Sequence, residues 1–208
     1  MLHFRNGKIK MEKKKIEITL GTGNEHKVFE INTIVTSLGY DNIQFIPAPK
    51  EFNPIENGST FEENSYIKAK EGAKLSGKIT LADDSGLCID ALNGAPGLFS
   101  ARYAGTQEAK IKRVLSELEG VNNRKAKFVC SMTLVNETGE IIHSTKGECH
   151  GQIIYERKGT NGFGYDPIFL PDGYNITLAE MSEEGKNSIS HRGHALEKML
   201  EFISKEVL

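Results

Sequence analysis

Apolar positions along the chain switch repeatedly between a period of two and a period of about 3.6 residues. Ile16–Leu20 alternates as a short strand and runs into Gly21-Thr22-Gly23-Asn24. After that loop Val28, Ile31, Ile34, Val35 and Leu38 recur at helical spacing until Gly39 stops them. The order predicted is strand, glycine loop, helix. Ile43–Ile46 predicts a second strand, followed by a proline-rich connection from Pro47 to Pro54 and a helix with Ser65, Ala69 and Ala73 on one face. A face of small residues implies that this helix lies close against its neighbour. Ile79–Ala82 predicts a further short strand that stops at Asp83-Asp84-Ser85-Gly86, and Asn93-Gly94-Ala95-Pro96-Gly97 is turn chemistry.

In the second half, Ile111, Val114, Leu115 and Leu118 mark an amphipathic helix ended by Gly120. Lys125–Val135 then places Ala126, Phe128, Cys130 and Met132 on one side, the pattern of a half-buried strand. With Asn136-Glu137-Thr138-Gly139 as its turn and Glu140–Cys149 as its return, it predicts a long antiparallel hairpin. A last helix from about Gly193 carries Ala195, Leu196, Met199, Leu200 and Ile203 on one face. Strand-loop-helix units joined to a long hairpin predict an α/β fold with a mixed central sheet and a cleft.

Composition narrows the picture. A chain of 208 residues suits one domain, expected over 15–208; residues 1–14 are basic and aperiodic, hold a second methionine at Met11, and are expected to be an upstream start or a loose extension. The net charge of -2, with 26 basic and 28 acidic side chains spread along the length, lacks the one-sided basic field that a nucleic-acid polymer needs. No run approaches the roughly 18 apolar residues of a membrane span. Cys88, Cys130 and Cys149 are far apart and lack zinc-ligand spacing, so a reducing, cytoplasmic setting is expected.

Candidate chemistry sits in the loops. Thr22-Gly23-Asn24-Glu25-His26-Lys27 lies between strand and helix, where backbone N–H groups and the helix dipole favour an anion such as phosphate and Lys27 adds positive charge. It is equally the form of a plain connection, and it lacks P-loop spacing. Asp83 and Asp84 at a strand's carboxyl end suit Mg²⁺, which is commonly held by one or two carboxylates plus substrate phosphates; the same run can be a turn capped by an aspartate. Glu56 and Glu63 are further candidate acids. Asn161-Gly162-Phe163-Gly164-Tyr165-Asp166-Pro167 sets two rings among glycines, either a stacking platform for a flat base or a turn with a core phenylalanine. Ser190-His191-Arg192-Gly193, with Lys186 upstream, presents donors at the start of the last helix, with Ser190 readable as its cap.

Taken in order, TGNEHK, FEEN, LADDSGL, GAPGLFSARYAG, GFGYDP and SHRG resemble the inosine/xanthosine triphosphate pyrophosphatase family from about Ile16 onward. The resemblance implies an elongated sheet with two lobes around a deep nucleotide-binding cleft, usually in a homodimer. It also implies a Mg²⁺-dependent enzyme cutting non-standard purine triphosphates to the monophosphate and pyrophosphate, which keeps them out of DNA and RNA. By motif, Thr22, Gly23, Asn24, Glu25, His26, Lys27 and Lys186 would hold the triphosphate. Glu56 and Asp84 would bind metal, with Glu63 or Asp83 as alternative acids, and Asp84 would accept a proton. Ser85, Phe163, Gly164, Tyr165, Asp166, His191 and Arg192 would complete the site. On this reading His191 and Arg192 donate to the 6-oxo group that adenine lacks. The rivals are a nucleotide sensor that has lost catalysis, and the same enzyme class acting on another non-standard nucleotide.

Overall fold

The computed structural model describes residues 15–207, apart from the His26 side chain; the predicted extension over 1–14 lies outside them. Among the described residues six strands form one sheet in the order β2-β1-β3-β4-β5-β6: β1 (Ile16–Leu20), β2 (Ile43–Pro47), β3 (Thr80–Ile89), β4 (Lys125–Val135), β5 (Ile141–Ile153) and β6 (Phe169–Pro171). β2, β1 and β3 run parallel, and every pairing from β3 to β6 is antiparallel. The mixed sheet expected from the sequence is therefore present. Among the described residues no helix is long and apolar enough to cross a membrane.

Helices cover both faces. On one side α1 (Glu25–Ser37) and α5 (His191–Glu206) bury Ile31, Ile34, Val35, Leu196, Met199, Leu200 and Ile203 against β1, β2 and the far end of β4. On the other lies α2 (Phe61–Ser76), whose Ala69 and Ala73 meet Ala82 and Val135. Its close approach is set by Gly72, where a Cβ would stand 2.8 Å from Thr80 Cγ2. Glycine inside a helix costs about 1 kcal/mol relative to alanine, so a helix keeps it where a side chain cannot fit. Thr60 caps α2 by accepting from Glu63 N at 3.1 Å, and Gly77 ends it in the left-handed region at φ 65°. The shorter helices are α3 (Gln107–Glu117) and α4 (Glu183–Ile189).

Two apolar cores sit at the two ends of the β3–β4 ribbon. Leu81, Cys130, Met132 and Leu134 belong to the first, with α1 and α5; Leu87, Ile89, Ala126 and Phe128 belong to the second, with α3 and Ile168–Phe169. Between them β3 carries Asp83-Asp84-Ser85-Gly86, so the two lobes meet at a polar seam.

Three expectations need correction. β3 does not stop at Ala82: it runs through the aspartates to Ile89, because β4 pairs with it along its whole length, from Thr80↔Val135 to Ile89↔Ala126. Tertiary pairing here overrides the turn preference of Asp, Ser and Gly. β4 is buried on both faces rather than one, since α2 covers the side opposite α1 and α5. α5 begins at His191, two residues before the position expected, because Ser190 Oγ accepts from Gly193 N at 2.9 Å.

Candidate functional site

Because side chains alternate along a strand, the adjacent aspartates face opposite sides of the sheet. Asp83 pairs in register with Met132 and points toward α1 and α5; Asp84 pairs with Ser131 and points toward α2. β1 pairs with β3 only at Thr19↔Thr80 and Leu20↔Leu81, so both aspartates lie just past the carboxyl end of β1. The Thr22–Lys27 loop leaves the sheet at that point.

On the first face Asp83 is 1 % exposed and accepts from Lys27 Nζ at 2.9 and 3.1 Å and from Arg192 at 3.2 Å. Burial alone would push its carboxyl up, but Lys27, Arg192 and Lys68 together hold it well below the usual carboxylate range. Arg192, itself 2 % exposed, also donates to Glu30 at 3.1 and 3.3 Å and to Ser85 Oγ at 3.3 Å. Asp83, candidate for metal contact, is thus saturated by two cations.

On the second face Asp84 accepts from Lys68 Nζ at 2.7 Å and from Asn64 Nδ2 at 3.3 Å. Burial raises its pKa, against the opposing pull of Lys68. Lys68 Nζ also lies 3.4 Å from Glu56 Oε1, so Glu56 and Asp84 already share one cation. Glu63 is not part of this cluster: its carboxylate accepts from Ser59 N and Oγ at 2.6 and 2.7 Å and closes the start of α2. Among the described residues no group of three or more His, Cys, Asp or Glu side chains converges on a common point.

The glycine-rich loop gathers a third set. Phe163 is half-exposed, its N–H donates to Asp166 at 2.9 Å, and Lys186 Nζ bonds Asp166 at 2.6 Å while lying 4.6 Å from the Phe163 ring centroid. Arg192 stands 5.8 Å from the same ring. Burial raises the Asp166 pKa against the pull of Lys186. Gly164 has φ 64°, the backbone that favours glycine. The two rings of the motif part company: Phe163 faces outward, while Tyr165 is buried in the second core.

His191 is buried, its ring stacked on Phe128 with centroids 4.8 Å apart, and burial pushes its pKa well below the ordinary value. At the start of α5, Gly193 N and His194 N both bond Ser190, while the N–H groups of His191 and Arg192 precede the first intrahelical bonds. Of the phosphate-loop candidates, Thr22 Oγ1 accepts from Asn24 N at 3.1 Å, Glu25 is exposed in the first turn of α1, and a Cβ at Gly23 would meet nothing within 4 Å. The His26 side chain lies outside the described residues.

Sequence reasoning missed Asn64, Lys68 and Glu30. The first two carried a signal: with Gly72 they stand at i, i+4 and i+8, one position before Ser65, Ala69 and Ala73, inside the buried face of α2. Gly86 is a further constraint. A Cβ there would overlap Gly97 O and stand 2.7 Å from Ser100 Oγ, because Gly97–Arg102 lies directly on the strand. Gly86→Ala should therefore destabilise the fold by about 1–3 kcal/mol, read as a lower thermal midpoint; an unchanged midpoint would mean the segment moves aside freely.

The Ham1 family model matches residues 18–202. The chain is 44% identical over 183 residues to a dITP/XTP pyrophosphatase of Synechocystis sp., covering 88% of this chain and 93% of that protein. It is 44% identical over 198 residues to one of Treponema denticola, covering 90% and 98%. Among solved structures, a HAM1 protein from Coxiella burnetii matches with TM-score 0.81 and 42% identity over 91% of this chain and 99% of that one. A nucleoside-triphosphatase / dITP/XTP pyrophosphatase from Mycobacterium abscessus matches with TM-score 0.71 and 37% identity over 89% and 99%.

Proposed function

This chain belongs to the Ham1 family, and from that membership we propose that it is a dITP/XTP pyrophosphatase. It hydrolyses non-standard purine nucleoside triphosphates to the monophosphate and pyrophosphate, and so keeps them out of DNA and RNA. The observation that carries the reading beyond family likeness is the arrangement at the seam. Asp84 and Glu56 share Lys68, Lys27 stands at the phosphate loop, and Phe163 presents a half-exposed ring.

The donor set suits magnesium, a hard cation that takes oxygen ligands and commonly needs only one or two carboxylates besides phosphate. Asp84 and Glu56 are the pair that would hold it, since both already lie within reach of one cationic group, at 2.7 and 3.4 Å. When bound, such an ion neutralises charge on the phosphates. Asp84, a largely buried carboxylate that accepts from Lys68 and Asn64, is suited to accept a proton from the attacking water. Lys27 and the N-terminal turn of α1 meet the charge that builds on the departing pyrophosphate. Lys186, the second lysine read as a triphosphate ligand, bonds Asp166 at 2.6 Å and stands beside the Phe163 ring.

Selection against adenine follows from the start of α5. The backbone N–H groups of His191 and Arg192 are donors suited to a 6-oxo group, and adenine would set its own 6-amino donors against them. A buried donor left unpaired in this way supports discrimination of about 10⁴-fold. The same reading takes residues 15–208 as one domain and the active form as a homodimer. It places the enzyme in the cytoplasm, where the free thiols of Cys88, Cys130 and Cys149 persist.

The test is incubation with dITP, ITP, XTP, GTP and ATP, with Mg²⁺ or with EDTA, scoring pyrophosphate apart from orthophosphate. Metal-dependent pyrophosphate release from dITP, ITP and XTP, with little from ATP and GTP, is expected. Orthophosphate release would overturn the bond assignment, and nucleotide binding without hydrolysis would favour a sensor.

A further inference from the structure

Tyr165 stands in the loop that carries Phe163, yet its side chain is 3 % exposed and belongs to the second core. Its hydroxyl donates to the Ser100 carbonyl at 3.0 Å. Ser100 in turn makes two bonds through Oγ, accepting from Leu87 N at 2.9 Å and donating to Gly97 O at 2.6 Å. Leu87 lies three residues beyond Asp84 on the same strand. One buried residue of the Gly97–Arg102 segment therefore bridges the base platform and the carboxylate-bearing strand.

We propose that Tyr165 and Ser100 are positioning residues that fix the distance between the Phe163 platform and the Asp84 strand. This inference rests on the reading of Phe163 as the base platform. A ligand gripped at its base by one loop and at its phosphates by a strand needs those two grips at a set separation, and a small displacement of either is costly to binding and to alignment. β3 cannot provide that spacing alone, since the platform lies some 80 residues further along the chain and joins the sheet through other elements. Gly86 completes the device: without a side chain, it lets Gly97 and Ser100 seat directly on the strand.

The test compares Tyr165→Phe with wild type by equilibrium binding of dITP in EDTA, where no turnover occurs, and by steady-state kinetics with Mg²⁺. The ring and its packing remain and one hydrogen bond is lost, so the dITP dissociation constant and KM should rise about 3- to 10-fold. KM should change by a larger factor than kcat. Inhibition by inorganic tripolyphosphate, which has no base to place, should be unchanged. Ser100→Ala keeps the carbonyl that Tyr165 uses but leaves Leu87 N–H unpaired, and should act chiefly on kcat. A merely structural role for Tyr165 predicts a lower active fraction, seen as reduced kcat with unaltered KM and dITP affinity; that result overturns the proposal, as does a parallel loss of tripolyphosphate inhibition. If the wild type binds dITP but does not hydrolyse it, the enzymatic reading fails while the binding comparison still decides the tether. If it binds no dITP, both fail.

Discussion

Asp84→Asn should lower kcat on dITP by about 10²- to 10⁴-fold, the range expected when a positioned proton acceptor is removed. Nucleotide affinity should change far less. The substitution keeps the shape of the side chain, and its amide oxygen can still accept from Lys68, which bonds Asp84 at 2.7 Å in the wild type. Its new amide donor, however, would face Asn64 Nδ2, and Asn64 cannot simply turn over, because its own oxygen accepts from Gly58 N at 2.9 Å. Stability should fall as well, because the substitution leaves the buried Lys68 with Glu56, at 3.4 Å, as its remaining ion-pair partner and sets two amide donors against each other. Burial, which raises the Asp84 pKa and so makes its ionised form costly, works the other way, and the neutral amide removes that cost. The fall in thermal midpoint should therefore be small beside the collapse of turnover. Turnover within tenfold of wild type, with calorimetry confirming bound nucleotide, would remove Asp84 from the mechanism.

How much of this was legible in the sequence depends on which force set each feature. The bounds of β4, Lys125–Val135, were legible in the alternation of Ala126, Phe128, Cys130 and Met132, although its second buried face was not. The close seating of α2 follows from its small residues. The course of β3 was hidden, since Asp-Asp-Ser-Gly reads as a turn and only the partner strand reveals otherwise. α4 was hidden too: Glu183–Ile189 has no apolar period, and it is held by the Ser182 cap, whose Oγ accepts from Gly185 N at 3.1 Å. In the site, the motif residues came readily, but their partners did not. A lysine on a helix ordinarily reads as solvated, and Lys68 becomes a buried partner of Asp84 only because α2 turns its polar edge toward that strand. Tyr165 shows the reverse case, a motif residue whose side chain is buried in the second core.

Arg192→Ala should be the most destabilising single change at the site, by about 3–5 kcal/mol, because it strips a cation from two buried carboxylates. Glu30 loses the guanidinium it meets at 3.1 Å, and Asp83 keeps Lys27 at 2.9 Å and the weaker field of Lys68. For a protein of this size each kcal/mol shifts the thermal midpoint by about 2–4 °C, so a fall of roughly 6–20 °C is expected. The pH dependence gives an independent check. Asp83 has a folded pKa held far below its unfolded value of about 3.9, so its ion pairs contribute fully above pH 4 and the contribution is lost as pH falls below that. Removing Arg192 raises the folded pKa. The stability gap between wild type and variant, measured by urea titration, should therefore be widest near pH 7 and narrow below about pH 4. A gap that stays constant with pH would mean that Arg192 stabilises through packing alone. Arg192→Lys should restore little of the loss, because one ammonium cannot span Glu30, Asp83 and Ser85 as the guanidinium does at 3.1 to 3.3 Å. The demanding geometry also links stability to selectivity. The side chain that joins α1 to β3 is anchored on the helix turn whose N–H groups we propose as the donors to the base, so the same variant should narrow the ratio of dITP to dATP turnover.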